Sequence, residues 1–395
     1  MITVLGWLLV AVSLVMLLPV LVLFTQVLAA CLPTRSPPVL AGARPRVAVL
    51  VPAHNESPVI RATLDSIRPQ LREGDRLLVV ADNCTDDTAA LARCTGAQVV
   101  ERQHAHLRGK GYALDFGVRH LKDDAPEVLI IIDADCRVAE GAIERLACAC
   151  AAADRPVQAL YLMHAPQGAG LKVQVAEFAW RVKNLVRPRG WARLGLPCQL
   201  MGAGMALPWH ALALVDLANG HLVEDLKLGL DFCQRGKPPV FCSDAQVTSV
   251  FPSSQEGLNT QRTRWEHGHL GVLLADAPRR LAAAFTQRNG ALLAMALDLM
   301  VPPLALLTLS WVALFCISWL AGVLFGTWLA AVIASAAMGL LMGAVWLAWW
   351  RFARRLISFS VLLYAPFYAA RKIPLYLGFL IKRQVDWVRS KRDDG

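Results

Sequence analysis

Residues 2–32, ITVLGWLLVAVSLVMLLPVLVLFTQVLAACL, form one apolar run without a charged side chain. About 20 apolar residues in a helix cross the roughly 30 Å hydrocarbon core of a bilayer, so the run predicts a membrane span. It lacks the basic leader, short apolar core and small-residue cleavage site of a secretory signal, and therefore reads as a retained anchor kinked at Pro19. Two more apolar runs, 291–323 and 324–350, predict a helical hairpin whose first arm is interrupted by Pro302 and Pro303. The stretch PTRSPPVLAGARP, residues 33–45, has no periodicity and is rich in proline, which makes it a linker. From Val47 the pattern changes to RVAVLVP, a helix over 57–71, RLLVVAD, a helix in TDDTAALAR, AQVVER, a helix over 109–121, and VLIIID. Continuous apolar strands alternating with helices imply an α/β fold, a doubly wound and mostly parallel sheet covered on both faces.

The expected layout is an N-terminal transmembrane helix over 1–32, the linker over 33–45, an α/β domain over 46–255, an interfacial segment over 256–290, the hairpin over 291–350, and an interfacial or re-entrant segment with a basic tail over 351–395. In the last of these, Arg371 and Lys372 interrupt the apolar run over 355–382, and Lys382, Arg383 and Arg389 lie at or beyond its end. A full crossing there would put Lys391 and Arg392 outside, against the tendency of basic residues to stay in the cytosol.

Charge agrees with that layout. The 395 residues carry a net charge of +10, and basic residues gather at span ends: Arg35, Arg44 and Arg46, then Arg279 and Arg280, then Arg351, Arg354 and Arg355. By the positive-inside tendency the α/β domain is cytosolic, on a plasma or inner membrane of bacterial type. A pI near 9.3 suits an anionic leaflet. No single basic stripe is present, so nucleic acid is not an expected partner. The 10 cysteines include no C-x-x-C pair, which speaks against a disulfide framework, and Cys148 and Cys150 read as small buried residues.

In a doubly wound sheet, ligands bind beyond the carboxyl ends of the strands. Here the first strand runs into Pro52-Ala53-His54-Asn55-Glu56, the second into Asp82-Asn83 and the fourth into Asp133-Ala134-Asp135. In an extended segment Asp133 and Asp135 project to one side and present two carboxylates to a hard divalent ion, Mg2+ or Mn2+, completed by diphosphate oxygens. An acidic turn without a metal is the alternative. Thr85, Asp86 and Asp87 are explained by helix capping, whereas Asp82 would face the crevice and accept from a base N–H. Arg108-Gly109-Lys110-Gly111 opens a helix with a cation suited to phosphate, or is an exposed basic turn. Glu224-Asp225 begins a helix; the pair either complements the helix dipole or supplies a general base, held ionised by that dipole. Gln261, Arg264 and Trp265 share one helix face, with Arg suited to clamp a diphosphate and Trp to border a sugar ring; anchoring at the headgroups is the alternative. His267 and His269 read as structural.

Taken in order, Pro52-Ala53-His54-Asn55-Glu56, Asp82, Gly109-Lys110-Gly111-Tyr112-Ala113-Leu114, Asp133-Ala134-Asp135, Glu224-Asp225 and Gln261-Arg262-Thr263-Arg264-Trp265 resemble the family 2 glycosyltransferases. The likeness is to their membrane-integrated branch, which includes cellulose, chitin, hyaluronan and poly-N-acetylglucosamine synthases and ceramide glucosyltransferases. It implies a GT-A fold, inverting transfer and a nucleoside diphosphate sugar donor, usually a UDP-sugar, with Mg2+ or Mn2+. By that resemblance Glu56, Asp82 and Asp133 contact the nucleoside, Lys110 reaches the donor phosphates, Asp135 with Asp133 serves the metal, and Gln261 and Arg264 hold the diphosphate. Asp225 is then the base supported by Glu224, while Trp265 and the loop Gly202-Ala203-Gly204 border the acceptor. The sequence departs from the polymer synthases before that loop, and it reads Val-Glu-Asp where Thr-Glu-Asp is frequent. The implied partners are a glycan or lipid acceptor, membrane lipids and an export or accessory subunit. Extracellular polysaccharide synthesis, single addition to a lipid, and a noncatalytic scaffold or transporter are the functions to weigh; for the last, Asp298 is the one charge within the apolar runs that fits.

Overall fold

The computed structural model describes residues 2–33, 43–252 and 254–381. Most of the expected linker, with Arg35, and the basic tail with Lys382, Arg383, Arg389, Lys391 and Arg392 lie outside them.

Eight strands, β1 (Val47–Ala53), β2 (Arg76–Asp82), β3 (Gln98–Arg102), β4 (Val128–Ile131), β5 (Arg137–Val138), β6 (Val157–His164), β7 (Met205–Pro208) and β8 (Val240–Val250), form one sheet in the order β3-β2-β1-β4-β7-β6-β8-β5. The β3-β2-β1-β4 half is parallel, as the rhythm of the sequence predicts. Beyond β4 the sheet is mixed, because β7 runs antiparallel to β4 and β6, and β5 antiparallel to β8. Both faces of β1 are buried: Val47, Val49 and Val51 join one apolar cluster, Ala48 and Leu50 the other. A strand covered on both sides must be apolar at successive positions, which is the pattern its sequence shows.

The helix expected over 57–71 is shorter. The Glu56 carbonyl closes a turn by accepting from the amides of Val59 and Ile60, the helix runs Ile60–Ile67, and it tightens at Arg68–Gln70, where Pro69 brings no amide. The helix Lys110–Leu121 follows expectation.

Among the described residues, three helices are long and apolar enough to cross a membrane: Val4–Ala30, Leu304–Phe325 and Trp328–Phe352. Pro19 lies inside an unbroken helix. The run 291–323 is not one span. It divides into Gly290–Leu299 and Leu304–Phe325, since Pro302 and Pro303 cannot continue the amide ladder. Downstream, Phe359–Ala370 and Ile373–Ile381 are each well short of the roughly 20 residues a crossing requires.

Asp298 is accordingly not in a long span. It is buried on Gly290–Leu299, where its Oδ1 accepts from Arg187 Nη2 at 2.8 Å and from Gln26 Nε2 at 2.5 Å. Arg187 Nη2 also donates to the Asp298 carbonyl at 2.6 Å. Arg189 Nε adds a bond to the carbonyl of Ala30 at 3.0 Å. The helix Arg187–Arg193 of the α/β domain is thereby tied to the first apolar helix through buried charge. Removing one partner of such a pair strands the other in a dry site. Asp298→Ala is expected to lower stability by about 3–5 kcal/mol, while the double change Arg187→Met with Asp298→Leu recovers most of it. Thermal unfolding of the detergent-solubilised protein checks both.

Candidate active site

The carboxyl ends of β1, β2 and β4 share one rim. Asn55 and Asn83, the residues that turn the chain off β1 and β2, take left-handed φ of 54° and 51°, a conformation asparagine tolerates better than most residues. Their loops are joined: Thr85 N donates to Asn55 Oδ1 at 2.7 Å, so Thr85 braces the rim; Asp86 accepts from Thr88 N at 3.0 Å, while Asp87, at the N-cap position, makes no side-chain cap bond. A cavity of about 220 Å³ opens on this rim. Glu56, Asp82, Lys110, Asp133, Asp135, Gly202, Glu224, Asp225, Gln261, Arg264 and Trp265 all line it.

Asp82 is buried, with Arg102 Nη1 at 2.6 Å and Asn83 Nδ2 at 3.0 Å on its Oδ1, while His54 Nδ1 lies 2.7 Å from its carbonyl. Asp133 and Asp135 reach the cavity from a turn closed by Cys136 N to Asp133 O at 3.1 Å, and not from the extended segment expected of them. Asp135 Oδ2 accepts from Ser249 Oγ at 3.0 Å, which orients it from β8.

Lys110 stands at the centre. Its ammonium pairs with Asp133, donates to the carbonyl of Gly202 at 3.0 Å and lies 3.7 Å from Glu224 Oε1. Burial works against this charge, but Asp133 and Glu224 outweigh it and hold the ammonium well above the usual lysine value. Lys110 is thus a fixed cation within an acidic cluster. Gly202, at φ 90°, folds over it: a Cβ there would lie 3.2 Å from Asp225 Oδ2 and 3.4 Å from Lys110 Nζ. Gly204 stands apart from its expected acceptor role, because its Cα faces the sheet, where a Cβ would meet Ala159 at 2.6 Å and Val247 at 3.0 Å.

Glu224 and Asp225 open the helix Glu224–Gln234. The dipole was expected to hold the pair ionised. Burial acts in the opposite direction and dominates: it pushes Glu224 up to about 7, with Lys110 opposing and the Asp225 charge adding to the rise. Burial also raises Asp225, against the pull of Lys110 and Lys183.

Gln261, Arg264 and Trp265 lie on the long helix Gln255–Thr286. Gln261 is buried and its Oε1 has no hydrogen-bond partner. Trp265 meets Trp180 with ring centroids 4.7 Å apart, and Lys183 lies over the Trp180 ring at 5.5 Å. Trp180 and Lys183, which also line the cavity, were not singled out in the sequence. They sit in an ordinary amphipathic run, and the one structural signal is the π-helical segment Val182–Val186, a distortion frequent at functional sites. His267 contacts the Leu375 carbonyl at 3.0 Å, and burial together with Lys183 and Arg187 pulls His269 down to about 3, so it is neutral.

No group of three or more His, Cys, Asp or Glu side chains suited to a metal is present among the described residues. Asp133 and Asp135 supply two carboxylates to the cavity from one turn, a hard oxygen donor set that fits an ion drawing its other ligands from a diphosphate and water, as Mg2+ and Mn2+ do.

The α/β sheet and its acidic rim define a transferase of GT-A type. Residues 45–268 match the sequence model described as "Glycosyltransferase like family 2", and the chain belongs to that family: it is a family 2 glycosyltransferase. A stretch of 96 residues is 38% identical to glucosyl-3-phosphoglycerate synthase of Mycobacterium tuberculosis, covering 22% of this chain and 28% of that enzyme. The chain thus spans less than a third of the length of this curated relative. Mannosyltransferase PcManGT from Pyrobaculum calidifontis, solved with GDP-Man and Mn2+, superposes with a TM-score of 0.57 over 97% of this chain and 100% of its own, at 17% identity. That likeness is one of fold.

Two outcomes follow from the cluster. Transfer activity should rise with pH along a limb near 7, and Glu224→Gln should move that limb to lower pH by removing one of two coupled carboxylates; a pH profile of kcat/KM checks this. Gly202→Ala should lower kcat by about tenfold or more, since its methyl group would crowd Asp225 and Lys110, and should also lower the unfolding temperature, because alanine is strained at φ 90°.

Proposed function

We propose that the protein is an inverting glycosyltransferase that moves a sugar from a nucleoside diphosphate sugar, a UDP-sugar by its resemblance, to an acceptor hydroxyl at the membrane. The observation that carries this reading is the convergence of Asp82, Asp133, Asp135, Lys110, Asp225, Gln261 and Arg264 on one cavity. The three long apolar helices cross the bilayer and the α/β domain faces the cytosol; the arginines at the span ends support that orientation.

Glu56, Asp82 and Asp133 hold the nucleoside, and Lys110, Gln261 and Arg264 face the diphosphate. Asp135 with Asp133 holds Mg2+ or Mn2+, which when bound neutralises charge on the departing diphosphate. Lys110 already compensates the carboxylates before donor arrives, so an acidic pocket can accept an anionic substrate. Asp225 takes the acceptor proton as the acceptor oxygen bonds to the anomeric carbon and the bond to the diphosphate oxygen breaks. Direct displacement of this kind inverts the anomeric centre. Burial and the Asp133 charge raise the basicity of Asp225, Glu224 supports it from the adjacent position, and Trp265 borders the acceptor.

Extracellular polysaccharide synthesis is the process the resemblance suggests, with an export or accessory subunit as a further partner. A lipid acceptor is the second reading, favoured by an apolar cavity that adjoins the donor site. The test is nucleoside diphosphate release across UDP- and GDP-sugars with Mg2+ or Mn2+. Asp225→Asn is expected to lower kcat by about 10²–10⁴ with little change in donor affinity, and Asp135→Ala to abolish metal dependence. Turnover unaffected by both changes would overturn the assignment.

A further inference from the structure

Beside the donor cavity lies a second one, of about 390 Å³, lined chiefly by apolar side chains. Leu23, Leu341 and Trp346 of the long apolar helices contribute to it, as do the short helices Leu171–Arg181 and Phe359–Ala370. The two cavities share Trp180, Lys183, Trp265 and His269, so the acceptor side of the donor site and the apolar chamber have a common wall. A chamber built from membrane-facing helices is suited to hydrocarbon, and a soluble sugar would leave its walls wet.

The chamber nevertheless carries cations. Arg187 is committed to Asp298, and Lys372 to Glu266. Lys183 and Arg262 have no carboxylate within ion-pair distance among the described residues. Their contacts are aromatic: Lys183 lies 5.5 Å from the centre of the Trp180 ring, and Arg262 5.4 Å from that of Tyr368. The Nε and Nη2 atoms of Arg262 are buried without a hydrogen-bond partner. Arg262 also faces an adjoining cavity with Lys172, Arg371 and Lys372, which forms a basic approach to the chamber. Arg262 is a partly buried cation without an ion-pair partner among the described residues, and Lys183 is offset by Asp225 only from beyond ion-pair distance, so the chamber suits an anion, and a neutral lipid would leave Arg262 unpaired.

We propose that the acceptor is a phosphate-bearing membrane lipid with a hydroxyl in its headgroup. Its hydrocarbon chain occupies the chamber, Arg262 draws the headgroup anion in from the basic approach, Lys183 holds it, and the hydroxyl passes Trp180 and Trp265 to meet Asp225. The headgroup oxygen bonds to the anomeric carbon, the nucleoside diphosphate leaves with the electron pair of the broken bond, and the hydroxyl proton goes to Asp225. This rests on the transferase reading of the donor cavity.

The test uses full-length protein in nanodiscs of phosphatidylcholine doped with phosphatidylglycerol or with diacylglycerol, given radiolabelled nucleotide sugar and Mn2+. The expected result is label extracted with phosphatidylglycerol at about tenfold or more over diacylglycerol, as a charge-assisted contact implies. Arg262→Gln, and separately the chamber-filling Ala365→Trp, should reduce lipid labelling by about tenfold while leaving Mn2+-dependent donor affinity unchanged, and Arg262→Lys should restore part of it. Equal labelling of diacylglycerol, label only in a water-soluble product, or donor binding without lipid labelling would each overturn the proposal. Donor affinity, measured separately by calorimetry, reports on the transferase reading itself, which fails if no nucleotide sugar binds.

Discussion

The site depends on one ammonium held among carboxylates. Lys110 pairs with Asp133 and approaches Glu224, and without that charge the Asp133, Glu224 and Asp225 carboxylates would face one another across a small cavity. Burial raises the Glu224 carboxyl, Lys110 opposes it and the like charge of Asp225 adds to the rise, which is why Glu224 sits near 7. The same arrangement leaves the proposed base, Asp225, more basic than a surface aspartate, and that is the property proton abstraction from a hydroxyl requires. The lysine thus makes an acidic rim compatible with an anionic donor.

The fold brings these groups together from distant parts of the chain. Parallel strands β1, β2 and β4 deliver Glu56, Asp82 and Asp133 to one rim, and the antiparallel addition of β7 brings the Gly202 loop over Lys110. The helix Gln255–Thr286 then carries Gln261, Arg264 and Trp265 into the cavity from the side of the apolar helices. The buried contact of Arg187 with Asp298 and Gln26 couples the α/β domain to the first long apolar helix. A charge that pattern reading could assign to a transport pathway is explained as part of this coupling.

Much of this was legible in the sequence because it is local. Continuous apolar strands, the helix at Lys110–Leu121 and the acidic strand ends follow from short-range pattern, and Gln261, Arg264 and Trp265 meet at one cavity from one helix, as their spacing implies. What escaped is set by long-range packing. The antiparallel half of the sheet has no local signature, the turn at Asp133–Asp135 is closed by a tertiary environment, and the role of Gly204 is decided by Ala159 and Val247 across the sheet. The raised Glu224 likewise follows from burial that the first turn of a helix does not reveal. Trp180 and Lys183 line the cavity at the junction of the helix Leu171–Arg181 with the π-helical segment Val182–Val186, a distortion without a local signature.

The central claim is that Asp133 and Asp135 hold a divalent ion jointly with a nucleoside diphosphate, in a cluster already balanced by Lys110. Electron paramagnetic resonance of Mn2+ titrated into the protein tests it most directly. The account predicts that the free-ion signal is lost only when a nucleoside diphosphate is present, and that Asp135→Ala prevents the loss. Tight Mn2+ binding without nucleotide, or nucleotide-dependent binding that survives Asp135→Ala, would contradict it.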